Sequence, residues 1–110
     1  MKDKKIDKIF KAIADPTRRE ILHALVVASV ALPITDISAK FDISRQGITK
    51  HIKILEDAKL VDIKKNGREQ MVFANPSSLK SVSEWLQFYT QFWDNKLKDL
   101  SSFLDKKHKK

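Results

Sequence analysis

A mainly α-helical fold with one small β-hairpin is predicted by three features of this chain of 110 residues. Apolar residues recur at helical steps through the stretches that precede Leu60. The dipeptide Asn66-Gly67, a strong hairpin-turn signal, separates two short runs that alternate apolar and polar. Beyond Pro76 the helical spacing returns over a long stretch that holds most of the aromatic residues.

Ile6, Ile9, Phe10 and Ile13 share one face of a first helix over residues 4–14. Asp15-Pro16-Thr17 ends it and starts a second. Asp15 can accept bonds from the new helix's first N–H groups, and Pro16 sits where a missing N–H costs nothing. Thr17-Arg18-Arg19-Glu20 also matches a capping box, so the start is placed to within about two residues. Ile21, Leu22, Leu25 and Val26 form the stripe expected to be buried. Pro33 precedes a third, short helix over residues 34–41, with Ile34, Ile37 and Phe41 facing inward. Asp42 stands at a turn that favours left-handed backbone, which Asp tolerates better than most residues. Ser44 then caps a fourth helix over 45–58, with Ile48, Ile52 and Leu55 on one face and Gln46, Thr49, Lys50 and Lys53 on the opposite one.

Leu60 to Lys65 and Gln70 to Ala74 read as the two strands of a ribbon, broken by Asn75-Pro76-Ser77-Ser78. The last helix, 77–105, carries Trp85, Phe88, Tyr89, Phe92, Trp93, Leu97, Leu100 and Leu104 at three- and four-residue steps. The basic tail, 106–110, is expected to be frayed and solvated. The short third helix, tight turn and fourth helix make a helix-turn-helix, 34–58. The ribbon beside it, 60–74, makes this a winged helix-turn-helix, read as one domain over 1–110 with long N- and C-terminal helices.

Net charge is +8 and there is no cysteine. The charge on so small a fold attracts polyanions, nucleic acid foremost. The missing thiols exclude disulfides, zinc fingers and thiol chemistry. The longest apolar stretch, Ala24 to Leu32, is too short to span a bilayer. No signal-peptide apolar region follows Met1 to Lys5. A soluble cytoplasmic protein with no membrane partner is expected.

In a helix-turn-helix the second helix enters the major groove of DNA, and its N-terminal residues meet base edges. Those residues here are Ser44, Arg45, Gln46, Thr49 and Lys50. Arg45 suits guanine O6 and N7, and Gln46 suits adenine N6 and N7. Thr49 can touch a thymine methyl or a phosphate. Lys50 and Lys53 are expected on phosphates, as is Thr35 near the start of the third helix. His51 is expected to bond a phosphate or the protein backbone. Gly47 either lets the backbone approach DNA or is tolerated drift. Lys64, Lys65 and Arg68 charge the wing, with Arg68 the candidate for a narrow minor groove.

The chain resembles the ArsR/SmtB family of bacterial winged-helix repressors along nearly its whole length. The resemblance rests on residues 9–22 (Ile9-Phe10-Lys11 to Glu20-Ile21-Leu22), Phe41 to Gln46, Lys50 to Ala58 and Gly67-Arg68-Glu69. It implies a homodimer that binds operator DNA and represses transcription. Family members that sense metals use cysteines in the third helix, or His, Asp and Glu clusters in the last. This chain has Thr35-Asp36-Ile37-Ser38-Ala39 in the first place and no His before His108 in the second. It therefore resembles a branch with an aromatic last helix, no metal site and no cofactor. Lys59 is a further departure, because the family often has Gly at the end of the recognition helix.

An aromatic helix this long exceeds what one small core can cover. A homodimer through Ile6, Phe10, Trp85, Phe88, Tyr89, Phe92 and Trp93 is expected. Its two-fold axis would set two recognition helices about 34–36 Å apart on a palindromic operator. Release could use a small molecule, a partner protein, or autoregulation with no ligand. The competing readings are a docking module on a winged-helix scaffold and a non-specific nucleic-acid binder. No Gly-rich phosphate loop, nucleophile–base constellation or paired carboxylates suggests an enzyme.

Overall fold

The computed structural model describes residues 4–108. Met1, Lys2, Asp3, Lys109 and Lys110, and with them part of the expected frayed tail, lie outside the described residues. The order is α1 (Lys4–Ile13), α2 (Pro16–Ala28), β1 (Leu32–Pro33), α3 (Ile34–Phe41), α4 (Arg45–Asp57), β2 (Val61–Asn66), β3 (Glu69–Ala74), a 3-10 turn (Pro76–Ser78) and α5 (Leu79–His108). Two compact units result, one ending at Lys80 and one beginning at Ser81.

In the first unit, Ile21 and Leu25 of α2, Ile48, Ile52 and Leu55 of α4, and Leu60, Val61 and Val72 close the core. The sheet has three strands in the order β1-β3-β2, all antiparallel. The expected ribbon is β2–β3, in register from Val61↔Ala74 to Asn66↔Glu69. Sequence reading missed β1. It pairs Leu32 with Val72 and Pro33 with Met71 along the edge, where a proline is tolerated because no further strand needs its N–H. Val26 is a second correction. It is 42 % exposed, because α2 turns its last two turns' outer side away from the core that Leu25 enters.

Helix ends explain how so many short elements join without long loops. Asp15 accepts from the N–H of Arg18 (3.0 Å) and starts α2. Arg18 donates from Nε to the carbonyl of Ala12 (2.7 Å) and from Nη2 to that of Lys11 (3.1 Å). Arg19 donates to the carbonyls of Ile13 (2.6 Å) and Ala14 (3.2 Å). Two guanidiniums thus satisfy the carbonyls that the end of α1 leaves unpaired, and place positive charge at its negative pole. α2 ends on Ser29 in left-handed backbone (φ 58°).

The ends of α3 and α4 share one design. Asp42 (φ 52°) and Lys59 (φ 60°) are left-handed. Beyond each, paired bonds return to the helix: Asp42 to Ala39 and Ile43 to Ser38, then Lys59 to Glu56 and Leu60 to Leu55. These are Schellman motifs, and at the second of them Leu60 and Leu55, the two positions that such a cap usually brings together, are both fully buried. Lys59 occupies the position where glycine is usual, as its departure from the family pattern suggested.

The wing turn is displaced by one residue from the Asn66-Gly67 signal. Asn66 pairs with Glu69, so Gly67 and Arg68 are the central residues. Gly67 has φ +65°, and Arg68 is not left-handed. Glycine first and an ordinary residue second is the type II′ pattern.

Two outcomes follow. Lys59→Gly should stabilise the fold by about 0.5–1 kcal/mol in urea unfolding, since a side chain in left-handed backbone carries a steric cost that glycine lacks; a loss of stability would contradict the strain. Asp15 is held below the usual carboxylate range, chiefly by the N–H of Arg18, with desolvation opposing it and Arg18's charge, the neighbouring His51 and the N–H of Thr17 adding to it. A depressed folded value means its contribution is complete above about pH 4 and disappears as acid protonates the folded carboxylate. Asp15→Asn keeps a capping oxygen but not the charge, so it should lower the thermal midpoint modestly near neutral pH and flatten its fall below about pH 4. An unchanged acid slope would contradict the assignment.

Candidate nucleic-acid interface

α4 is held by one face. Ile48, Ile52 and Leu55 are wholly inaccessible to solvent. At 100° per residue the opposite face carries Gln46, Lys50 and Lys53, with Thr49 on its flank and Arg45, in the first turn, nearer the buried stripe. Arg45, Gln46, Lys50 and Lys53 are exposed and Thr49 is half-buried. The structure therefore brings these residues together on one surface.

The start of that surface is built by the turn before it. Ser38 Oγ donates to the carbonyl of Ile43, tying α3 to the turn. Ser44 Oγ accepts from the N–H of Gly47 (3.1 Å). That bond uses an oxygen lone pair, so the hydroxyl proton is not consumed by the cap. Thr49 donates its hydroxyl to the carbonyl of Arg45 (2.8 Å). Lys53 lies 3.8 Å from Glu56. Exposed pairs of this kind contribute little, so Lys53 can exchange Glu56 for a phosphate at small cost.

Thr35 is exposed in the first turn of α3. Lys64, Lys65 and Arg68 are exposed on the wing, Arg68 at its tip. Lys64 Nζ sits 5.5 Å from the centre of the Phe73 ring, which orients it by a cation–π contact. His51 is placed differently from the others. It is half-buried, and its Nδ1 lies 3.4 Å from Nη1 of Arg18. Its partner in the protein is a side chain and not the backbone, and it lies roughly 120–160° around α4 from Arg45, Gln46, Thr49 and Lys53.

Gly47 has a reason that sequence reading did not find. A Cβ there would lie 2.8 Å from Cγ2 of Ile43 and 3.2 Å from Oγ of Ser44. Glycine makes room for the turn that caps α4, whatever approaches from outside.

The dimer candidates divide between the two units. Ile6 and Phe10 are half-buried in α1. On α5, Trp85, Phe88, Tyr89, Phe92 and Trp93 are 45–67 % exposed, and Leu97, Leu100, Phe103 and Leu104 are similarly open. Tyr89 stacks at a tilt on Trp85 (4.8 Å between ring centres) and edge-on to Phe88 (5.1 Å). Together these apolar side chains occupy roughly half of the helix circumference. Among the described residues no group of three His, Asp or Glu could hold a metal ion, and no helix is long and apolar enough to cross a membrane.

Gly47→Ala should lower the urea-unfolding free energy by about 0.5–1 kcal/mol, although alanine favours helices by about 1 kcal/mol. A gain in stability would mean that Ile43 and Ser44 yield freely.

A model of a helix-turn-helix domain matches residues 13–64. The uncharacterized HTH-type transcriptional regulator YuzN of Bacillus subtilis is 38% identical over 88 residues, which cover 74% of this chain and 95% of that protein. Transcriptional repressor SdpR of the same organism is 32% identical over 92 residues, 84% of this chain and 100% of that one. An ArsR-like transcriptional regulator from Rhodococcus sp. RHA1 superimposes with a TM-score of 0.75 at 27% identity, over 93% of this chain and 92% of the other. The homodimeric winged helix-turn-helix DNA-binding domain of Mb0332 from Mycobacterium bovis shares the fold at 18% identity, with a TM-score of 0.60 over 86% of this chain and 83% of its own. With the helix-turn-helix, the three-stranded wing and these relatives together, the chain belongs to the ArsR family of winged-helix transcriptional regulators.

Proposed function

We propose that this protein is a repressor that binds a palindromic operator as a homodimer in the cytoplasm. The observation that carries the reading is α4 itself, sealed into the core on one side and presenting Gln46, Lys50 and Lys53 on the other, with Arg45 exposed in its first turn. Arg45 and Gln46, in the first turn, are assigned to base edges in the major groove. Ser44, Thr35, Thr49, Lys50 and Lys53 are assigned to phosphates and their surroundings, and Lys64, Lys65 and Arg68 to the flanking groove. His51 is assigned to support of α4 and not to the groove.

The second copy is assigned to α5. A contiguous apolar face of this width is unusual on a monomer and marks an interface. Mb0332 is described as homodimeric, and YuzN and SdpR as regulators of transcription, which supports the same arrangement here. No metal enters the proposed mechanism; a small molecule, a partner protein or the protein's own concentration would set occupancy.

Selection from a pool of random duplexes at physiological salt tests this. The expected product is a palindrome with half-sites about 10 bp apart. Retention without a consensus would support the non-specific binder, and no retention would support the docking module; either overturns the proposal. On the selected duplex, Lys50→Ala and Lys53→Ala should each reduce the slope of log affinity against log salt by about one unit, while Arg45→Ala should relax base preference at one position per half-site. Phe92→Glu together with Trp93→Glu should give monomers in sedimentation at about 10 µM and weaken operator binding at least tenfold. A dimer that persists would remove α5 from the interface.

A further inference from the structure

Arg18 does more than close the end of α1. Two of its guanidinium nitrogens are fixed by the carbonyls of Ala12 and Lys11, and the third faces His51 Nδ1 at 3.4 Å. A guanidinium only donates hydrogen bonds. For the pair to hydrogen-bond, Nδ1 must be the acceptor. The carboxylate of Asp15 takes the N–H of the same arginine and feels its charge. One planar group thus joins the last turn of α1, the first turn of α2 and the middle of α4.

We propose that the Arg18–His51 pair is a strut that sets the rotation of the recognition helix, which makes Arg18 and His51 positioning residues for DNA binding. The inference rests on the DNA-binding reading above. Ile48, Ile52 and Leu55 fix how deeply α4 sits and which side faces the core, while the last few degrees of rotation about the helix axis are set by directional bonds, since apolar burial itself is non-directional. A hydrogen bond from a rigid fork is directional. With side-chain ends about 5–6 Å from the axis, a rotation of about 10° moves Arg45 and Gln46 about 1 Å against the bases. That is beyond the roughly 0.5 Å within which a binding constellation must be held. Because the other two bonds of the fork end on α1, a displacement of that helix would reach α4 through the same group.

The test uses the full chain and a fluorescent copy of the duplex that the wild type selects. His51→Asn keeps an accepting oxygen at the position of Nδ1, whereas His51→Gln moves it one bond further out. Arg18→Lys keeps the charge and loses the fork. His51→Gln and Arg18→Lys should each weaken binding about tenfold, and the double variant should lose no more than about a further twofold, because both break one unit. His51→Asn should stay within about threefold of the wild type, with the thermal midpoints of both His51 variants nearly alike. Penalties that multiply in the double variant, or Asn and Gln variants that bind equally, would overturn the strut while leaving the DNA-binding reading intact. A wild type that selects no duplex would overturn that reading, and the strut with it.

Discussion

One face of α4 is sealed, and the rest of the structure depends on it. Ile48, Ile52 and Leu55 give up all their accessible surface to the core, a burial that contributes about 1.5–3 kcal/mol per side chain. The cost of withdrawing any of them keeps the helix seated. Everything chemically distinctive about the molecule is then a consequence of what the unsealed face carries. A surface made this way needs no strain at the residues it presents. They sit on a regular helix whose position is decided from behind.

The ends of the helices serve the same purpose. Asp42 and Lys59, in left-handed backbone on either side of α4, let the chain reverse direction within two residues. The short connections keep α3 and β2 against α4 and leave its outer side uncovered. Gly47 contributes by leaving out a side chain where Ile43 and Ser44 need the space. α5 poses the opposite situation, a helix whose apolar half-circumference is open along most of its length. The proposed dimer would supply the burial that a body of this size lacks.

Periodicity made α4 legible in advance, because a sealed face must repeat Ile48, Ile52, Leu55 at helical spacing. Capping chemistry made Asp15 and Ser44 legible, since few residue types can accept from exposed N–H groups. What escaped was decided by partners distant in sequence. β1 is two residues long and exists only because β3 lies beside it. Val26 satisfied the apolar pattern of α2, yet the core ends before reaching it. The wing turn shifted by one residue because strand register, set by Val61↔Ala74 onward, outweighs the local preference of Asn-Gly. Of the candidate site, the outer face of α4 could be read from spacing alone. The link from His51 to Arg18 could not, for no periodicity relates residues 33 positions apart.

The measurement that tests the account most directly is guanine methylation interference on the selected duplex, because N7 is exposed only in the major groove. Interference is expected in two major-groove patches about 10 bp apart on one side of the DNA, with a symmetric pair of guanines losing its effect in Arg45→Ala. Interference spread evenly along the duplex, or a pattern that Arg45→Ala leaves unaltered, would contradict the placement of α4 in the groove.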